Sequence, residues 1–292
     1  MASVVSVSDS FVEATSVSAD DVDPHRWHAH LDPGWDTPGG IHGGVLLATG
    51  VRAALAAVAR PELSMRVAHA VFLAPPSHDL FFDVTVLRQG RGSAHVRALG
   101  TCAHEQHPAI DVTIVLTADR ESPAFSEPAA PAVEPPEHLT SSEGGPMNGA
   151  PGLLAPPPLF DHLEVRTAIG RLPWEDDWTP DQERRHARWA RYVRAPRLAD
   201  GSFDPLALFP LADLPGPSIW QQFGPDEPML FFLSLDLSLN VLEAVTDEWI
   251  LTDIRARRLG EGHALVETDL WSGGRLVATS AQTMMIRHVP FD

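Results

Sequence analysis

Hydrophobic and polar residues alternate most strictly along residues 231–241. Leu233, Leu235, Leu237, Leu239 and Val241 fall on one side; Ser234, Asp236, Ser238 and Asn240 fall on the other. A period of two predicts a strand with one buried face. Related patterns predict strands over 249–258, 264–271 and 275–286, the last entered through a Ser272-Gly273-Gly274 hairpin turn. Further strands are expected at 65–73, 80–88, 94–103 and 109–117, and shorter ones at 11–15, 26–31 and 161–168. The period changes at 44–59, an Ala- and Leu-rich stretch stopped before Pro61, which predicts a long helix. A shorter helix is expected over 213–223, with Asp213 as its N-cap or first-turn residue ahead of Leu-Pro-Gly-Pro. A helix followed by a run of strands is an α+β pattern with an antiparallel sheet.

The pattern recurs. Gly90-Arg91-Gly92 returns as Gly260-Glu261-Gly262, a shift of 170 positions from 90 to 260. The same shift, without a gap, places Leu80 on Ile250, Asp83 on Asp253, Arg88 on Arg258, Val96 on Val266 and Thr113 on Thr283. The chain therefore reads as two copies of one unit, residues 1–118 and 159–292. Residues 119–158, rich in Pro, Ala, Ser and Glu, read as an extended connector. At this shift Ser64 matches Ser234, while Gly43, Arg66 and Val112 fall on Asp213, Asp236 and Gln282. The second copy thus carries polar groups where the first carries Gly or Val.

Composition narrows the function. A chain of 292 residues is long enough for two units with cores of their own. A net charge of −18 argues against nucleic acid and anionic membrane surfaces as partners. The single Cys102 excludes an internal disulfide and fits a reducing compartment. No signal peptide or membrane-spanning run is expected, which points to the cytoplasm. All 21 basic residues are Arg, so Schiff-base chemistry, pyridoxal phosphate attachment and a P-loop are excluded. No His/Cys/Asp cluster has metal spacing and no Gly-x-Ser-x-Gly elbow occurs, so no metal and no cofactor are expected. Six arginines between 184 and 197 read as partners for Glu175, Asp176, Asp177, Asp181 and Glu183, or as a phosphate-binding patch.

Two stretches carry candidate chemistry. Glycines in Gly39-Gly40-Ile41-His42-Gly43-Gly44 let a ligand approach the free N–H groups of the first turn of the long helix. Gln282 sits on a mostly apolar strand face, where a buried amide needs partners on both its oxygen and its nitrogen.

Ala212-Asp213, Leu233-Ser234-Leu235-Asp236, Glu248-Trp249-Ile250-Leu251, the hairpin from Trp271 to Ala278, and the run from Gln282 to Arg287 resemble the acyl-CoA thioesterase II family. The resemblance covers nearly the whole chain and is weakest over 118–158 and 171–204. It implies a tandem, or double, hotdog fold: two helix-wrapped antiparallel sheets, equivalent helices at 44–59 and 213–223, and the sheets joined edge to edge. It implies a thioester hydrolase of fatty acid metabolism acting on an acyl-CoA or related acyl thioester, and self-association into an oligomer. The family's water-holding Asp, Thr or Ser, and Gln map onto Asp213, Ser234 and Gln282. The family commonly has Thr at the middle position and His after the second Asp; here they are Ser234 and Leu237. The His42-Gly43-Gly44 start also looks like single-hotdog thioesterases, in which a glycine N–H polarises the thioester carbonyl. Of Asp213, Ser234 and Gln282 only Asp213 can accept a proton at neutral pH.

Two alternatives stay open on the residues. One is a double hotdog dehydratase of 3-hydroxyacyl thioesters. Its His-x-x-x-Gly-x-x-x-x-Pro pattern is approached, one residue short, by His30, Gly34 and Pro38, with Asp213 as partner. The other is a non-catalytic acyl-thioester-binding protein.

Overall fold

Strands with one apolar face need cover for that face and neighbours for their edges. In the computed structural model, which describes residues 10–103, 107–125, 129–142, 149–150, 156–179, 183–227 and 230–288, one sheet of twelve strands meets both needs. The elements run α1 (Phe11–Ala14), β1 (Ser18–Ala19), β2 (Arg26–His30), β3 (Asp36–Thr37), β4 (Gly40–Ile41), α2 (Gly43–Val58), β5 (Ser64–Phe72), β6 (Asp79–Gln89), β7 (Ser93–Cys102) and β8 (Pro108–Thr117). They continue as β9 (Leu163–Ile169), β10 (Arg185–Tyr192), α3 (Leu208–Ala212), α4 (Pro217–Trp220), β11 (Leu230–Val241), β12 (Ile250–Gly260), β13 (His263–Ser272) and β14 (Arg275–His288).

The sheet order is β1-β2-β6-β7-β8-β5-β11-β14-β13-β12-β10-β9, with β3 and β4 forming a separate small ladder. Strands β5 to β8 and β11 to β14 have the same connectivity, laid out in opposite directions from the β5–β11 seam. The expected pair of sheets is therefore one continuous sheet. Ala70 pairs with Leu237 and Ala68 with Leu239 across the seam, so neither strand is left as an open edge.

The pairings correct the repeat register. In β6 and β7 the shift of 170 holds: the bulge between Val86 and Arg88 returns between Ala256 and Arg258, and Ala98 corresponds to Thr268. Ala98 pairs with Val112, but Thr268 pairs with Ser280, so β8 and β14 are related by 168. Ala68 pairs with Ile114 and Leu237 with Gln282, which sets the shift at 169 in β5 and β11. The shift of 169 comes from a connection between β11 and β12 one residue longer than that between β5 and β6, and the shift of 168 from the β13–β14 turn. Gly273 and Gly274 sit at φ 56° and 75°, the positive values a tight two-residue hairpin requires, whereas a longer loop joins β7 to β8. Gln282 therefore stands opposite Ile114, not Val112, and Ser234 opposite Met65, not Ser64. Both counterparts are apolar and buried.

Helix α2 is buried nearly all round: Val45, Leu46, Leu47, Ala48, Val51, Ala53 and Ala54 all lie in the core. That is the signature of a central helix, not a surface one. Its counterpart is not a helix over 213–223. The segment breaks into α3 and α4, because Pro215 disfavours the helical conformation at Leu214 and supplies no N–H. Residues 11–15, expected as a strand, contain helix α1. Phe11 is fully buried there, edge-on to Trp35 with ring centroids 5.6 Å apart. A short apolar run does not distinguish strand from helix.

Candidate functional site

The break between α3 and α4 frees Asp213. It is the C-cap residue of α3, at φ −96° and ψ 42°, and not the N-cap of a helix of its own. Its side chain crosses to the other half, where the Gly44 N–H donates to Oδ2 at 2.7 Å. A carboxylate there meets the positive end of α2 and one of its unsatisfied N–H groups. Gly43 is required by this approach. A Cβ on Gly43 would stand 2.7 Å from Asp213 Oδ2 and 3.0 Å from the Phe72 ring.

A bulge delivers Ser234. In β11 the pairing with β14 slips between Ser234 and Asp236, leaving Leu235 extra. Strict alternation would put Ser234 beside Asp236 on the outer face. The bulge turns it inward instead, onto the face of Leu237, Gln282 and Met284, while Asp236 stays outside and meets His69 at 3.2 Å. Gln282 comes from the facing strand β14 and is 2% exposed.

The three side chains meet. Ser234 Oγ donates to Asp213 Oδ1 at 3.3 Å. Gln282 Nε2 donates to Ser234 Oγ at 2.6 Å and also to Asp213 Oδ1. Gln282 Oε1 is buried with no hydrogen-bond partner in the protein.

Two groups that the sequence showed only as members of a glycine-rich turn and of an arginine run join them. His42, the N-cap residue of α2, is buried, and its Nε2 lies 3.0 Å from the Asp213 carbonyl. A carbonyl only accepts, so Nε2 carries the proton and Nδ1 is the free base. Nδ1 lies 3.8 Å from Asp213 Oδ2 and has no hydrogen-bond partner. Burial holds the His42 imidazole below its usual pKa, against the opposing pull of the Asp213 charge and carbonyl; the nearby Arg188 charge lowers it further. Arg188, on β10, is 1% exposed and donates from Nη2 to the Leu214 carbonyl at 2.7 Å. Burial brings its guanidinium down to about 9. On the same strand Tyr192 donates to the Ala207 carbonyl at 2.7 Å, and His186 Nδ1 lies 3.1 Å from Gln221 Oε1. Three side chains of one strand thus fix the broken helix segment that carries Asp213.

The arginine run is resolved in part as ion pairing, but with different partners. Arg185 pairs with Asp253, and Arg191 with Glu164 and Glu248. Asp177 pairs with Arg171 instead, and Asp181 lies outside the described residues. His30 of the dehydratase-like pattern is exposed beside Asp79, at 3.6 Å, and is not brought to Asp213. Among the described residues no group of three or more His, Cys, Asp or Glu could hold a metal ion. Nor is any described helix long and apolar enough to cross a membrane.

The buried histidines give a pH dependence. His186 is brought to about 3, first by burial and then by the charge of Arg188. In the folded protein His186 stays neutral well below 6.5 and the His42 pKa is shifted down as well, whereas in the unfolded chain both take up protons near 6.5. Their contribution to stability is present above 6.5 and is lost as the pH falls toward the folded values. His186 should lower the unfolding free energy by about 1.4 kcal/mol per pH unit below 6.5, and His42 acts in the same direction. Urea titrations at pH 7.5 and 5.5 test this, and a His186→Gln protein should show a shallower fall.

Family models match both halves of the chain: an acyl-CoA thioesterase N-terminal domain over residues 31–119 and an acyl-CoA thioesterase C-terminal domain over residues 129–286. The chain belongs to the acyl-CoA thioesterase family. This thioesterase resembles, at a TM-score of 0.76 and 21% identity, a hot dog fold protein of unknown function from Alicyclobacillus acidocaldarius, covering 96% of this chain and 98% of the other. It resembles acyl-CoA thioesterase II TesB2 from Mycobacterium marinum at a TM-score of 0.72 and 20% identity, over 96% and 99%. The dehydratase domain of RzxB from Pseudomonas fluorescens is also similar, at a TM-score of 0.53 and 9% identity, over 92% and 96%. These likenesses establish a hotdog-type fold with a large antiparallel sheet. No curated protein matches in sequence.

Proposed function

We propose that this thioesterase is a double hotdog enzyme in which Asp213, Ser234 and Gln282 hold the water that hydrolyses an acyl-CoA. The observation that carries the reading is the convergence of these three side chains from a broken helix and two strands, in the half whose counterparts are Met65 and Ile114. The water oxygen attacks the thioester carbonyl carbon and its proton passes to the Asp213 carboxylate. Ser234 and Gln282 orient the water, and the unpartnered Gln282 Oε1 is a further acceptor for it. The Gly43 N–H, first in α2 and without an intrahelical acceptor, faces the developing oxyanion. The Gly44 N–H is engaged by Asp213 and serves to position it. Collapse of the tetrahedral intermediate breaks the C–S bond. The thiolate leaves and takes up the proton, giving a free acid and a thiol, with no metal and no covalent enzyme intermediate in the scheme.

Release of free thiol from short, medium and long acyl-CoAs tests the activity. A protein that binds these thioesters saturably but releases no thiol would be a binding protein instead. Gln282→Leu keeps the side-chain volume and removes the amide. It should lower kcat by about 10²-fold with little change in KM, because the amide acts on the water and not on the acyl chain. A KM effect alone would reassign Gln282 to substrate binding.

A further inference from the structure

The two halves present the same sheet positions with opposite chemistry. In the structural register Met65, Phe82, Ala98, Val112 and Ile114 of the first half correspond to Ser234, Thr252, Thr268, Ser280 and Gln282 of the second. Trp27, paired with Phe82, corresponds to Arg188, paired with Thr252. The first set is apolar throughout. The second is polar, and apart from half-buried Ser234 all of it is buried.

The polar set is also contiguous. Gln282 Nε2 reaches Ser234 Oγ, Ser280 is two residues from Gln282 on the same face of β14, and Thr268 pairs with Ser280. Thr252 lies diagonal to Thr268 and pairs with Arg188. A stripe of hydroxyl and amide groups thus crosses the sheet from Ser234 to Thr252, and the Arg188 side chain reaches back from beside Thr252 to the Leu214 carbonyl, next to Asp213 in the chain. A plain hydrocarbon chain would be better served by the apolar interior of the first half, since buried polar groups without partners are costly.

Arg188 sharpens the point. Its Nη2 is taken by the Leu214 carbonyl, but Nη1 is buried and has no partner. No carboxylate pairs with it among the described residues, and a buried cation without a counter-charge is expensive. Tyr192 on the same strand holds a carbonyl with a neutral group, so that task alone does not call for a charge.

We propose that Arg188 and the hydroxyl stripe receive an acyl group with a carboxylate at its far end, so that the preferred substrates are half-thioesters of dicarboxylic acids. The Nη1 donor and the charge of Arg188 match one carboxylate, and Thr268 and Ser280 stand paired on the same sheet face, while the Thr252 hydroxyl donates to the Arg188 carbonyl. The proposal rests on the thioesterase reading for its reaction but not for its binding site.

The test is equilibrium binding by calorimetry to the Asp213→Asn protein, using CoA thioesters in pairs of equal length, one with a terminal carboxylate and one with a terminal methyl. At the length that fits, the carboxylate member should bind about tenfold more tightly or better, the scale of one charged hydrogen bond. Arg188→Met should abolish that ratio. Thr268→Val, which leaves the Leu214 carbonyl contact alone, should reduce it and serves if Arg188→Met does not fold. Equal affinities across the length series, or a preference that survives these substitutions, overturns the proposal. Thiol release by the unmodified protein separates the two readings. A carboxylate preference in binding with no thiol released removes the hydrolase and keeps the subsite; hydrolysis with equal affinities removes the subsite and keeps the hydrolase.

Discussion

Asp213→Asn should lower kcat/KM for the best thioester by about 10²-fold or more, the scale of a positioned general base. The substitution removes the proton acceptor and almost nothing else. Asp213 Oδ2 accepts from the Gly44 N–H and Oδ1 accepts from Ser234 and Gln282. An asparagine can keep its oxygen toward Gly44 and turn its NH2 toward the other two. Ser234 can rotate from donor to acceptor, and Gln282 can flip to offer the Oε1 that lacks a partner. The hydrogen bonds then re-form with reversed polarity, and thermal stability should change little. Activity and stability are thus expected to separate, which would not hold if Asp213 were only a cap for α2. Thiol release together with the melting temperature checks this. Hydrolysis by Asp213→Asn at the unmodified rate would remove Asp213 from the mechanism.

Gly44→Ala should be the most damaging single-atom addition in the region. A Cβ there would lie 2.5 Å from the Phe209 carbonyl oxygen and 2.8 Å from the Pro210 Cα. Both belong to the backbone of α3, so neither can swing aside as a flexible side chain would. Alanine favours a helix over glycine by about 1 kcal/mol. Overpacking of a well-filled core costs about 1–3 kcal/mol, and a backbone obstacle places this case at the upper end. The net expectation is a loss of about 2 kcal/mol by these two scales. The clash also pushes α2 away from α3 and draws the Gly44 N–H from Asp213, so activity should fall at least tenfold, the consequence of about 1.4 kcal/mol of lost positioning. Gly224→Ala is the control, since a Cβ there meets only Trp178, at 3.9 Å. Equal melting temperatures for Gly44→Ala and the unmodified protein would show that α2 and α3 are not held this closely.

The sequence by itself determined most of the strands, the central helix and the existence of a repeat, but not β10, which it showed only as an arginine run. Each rests on a local signal: period-two alternation, an alanine-rich stretch ended by Pro61, and a paired-glycine turn. The three polar residues of the second half could also be named from it, through their resemblance to a known family. The register of the repeat was decided only by strand pairing. A connection can be shortened or lengthened without disturbing either strand's alternation, so a sequence shift of 170 conceals shifts of 168 and 169 on the two strands that carry Gln282 and Ser234. The side toward which Ser234 points was likewise a tertiary matter. Strict alternation assigns it to the face of Asp236, and one extra residue in β11 reverses that. Asp213 reads locally as the start of a helix, yet proline ends that possibility and the carboxylate caps the helix of the other half, 169 residues away in sequence. Arg188 is one arginine among six in its stretch, and no local feature distinguishes it. Burial does, because the inner face of β10 admits only alternate residues, and that choice depends on which side of the strand α3 and α4 come to cover.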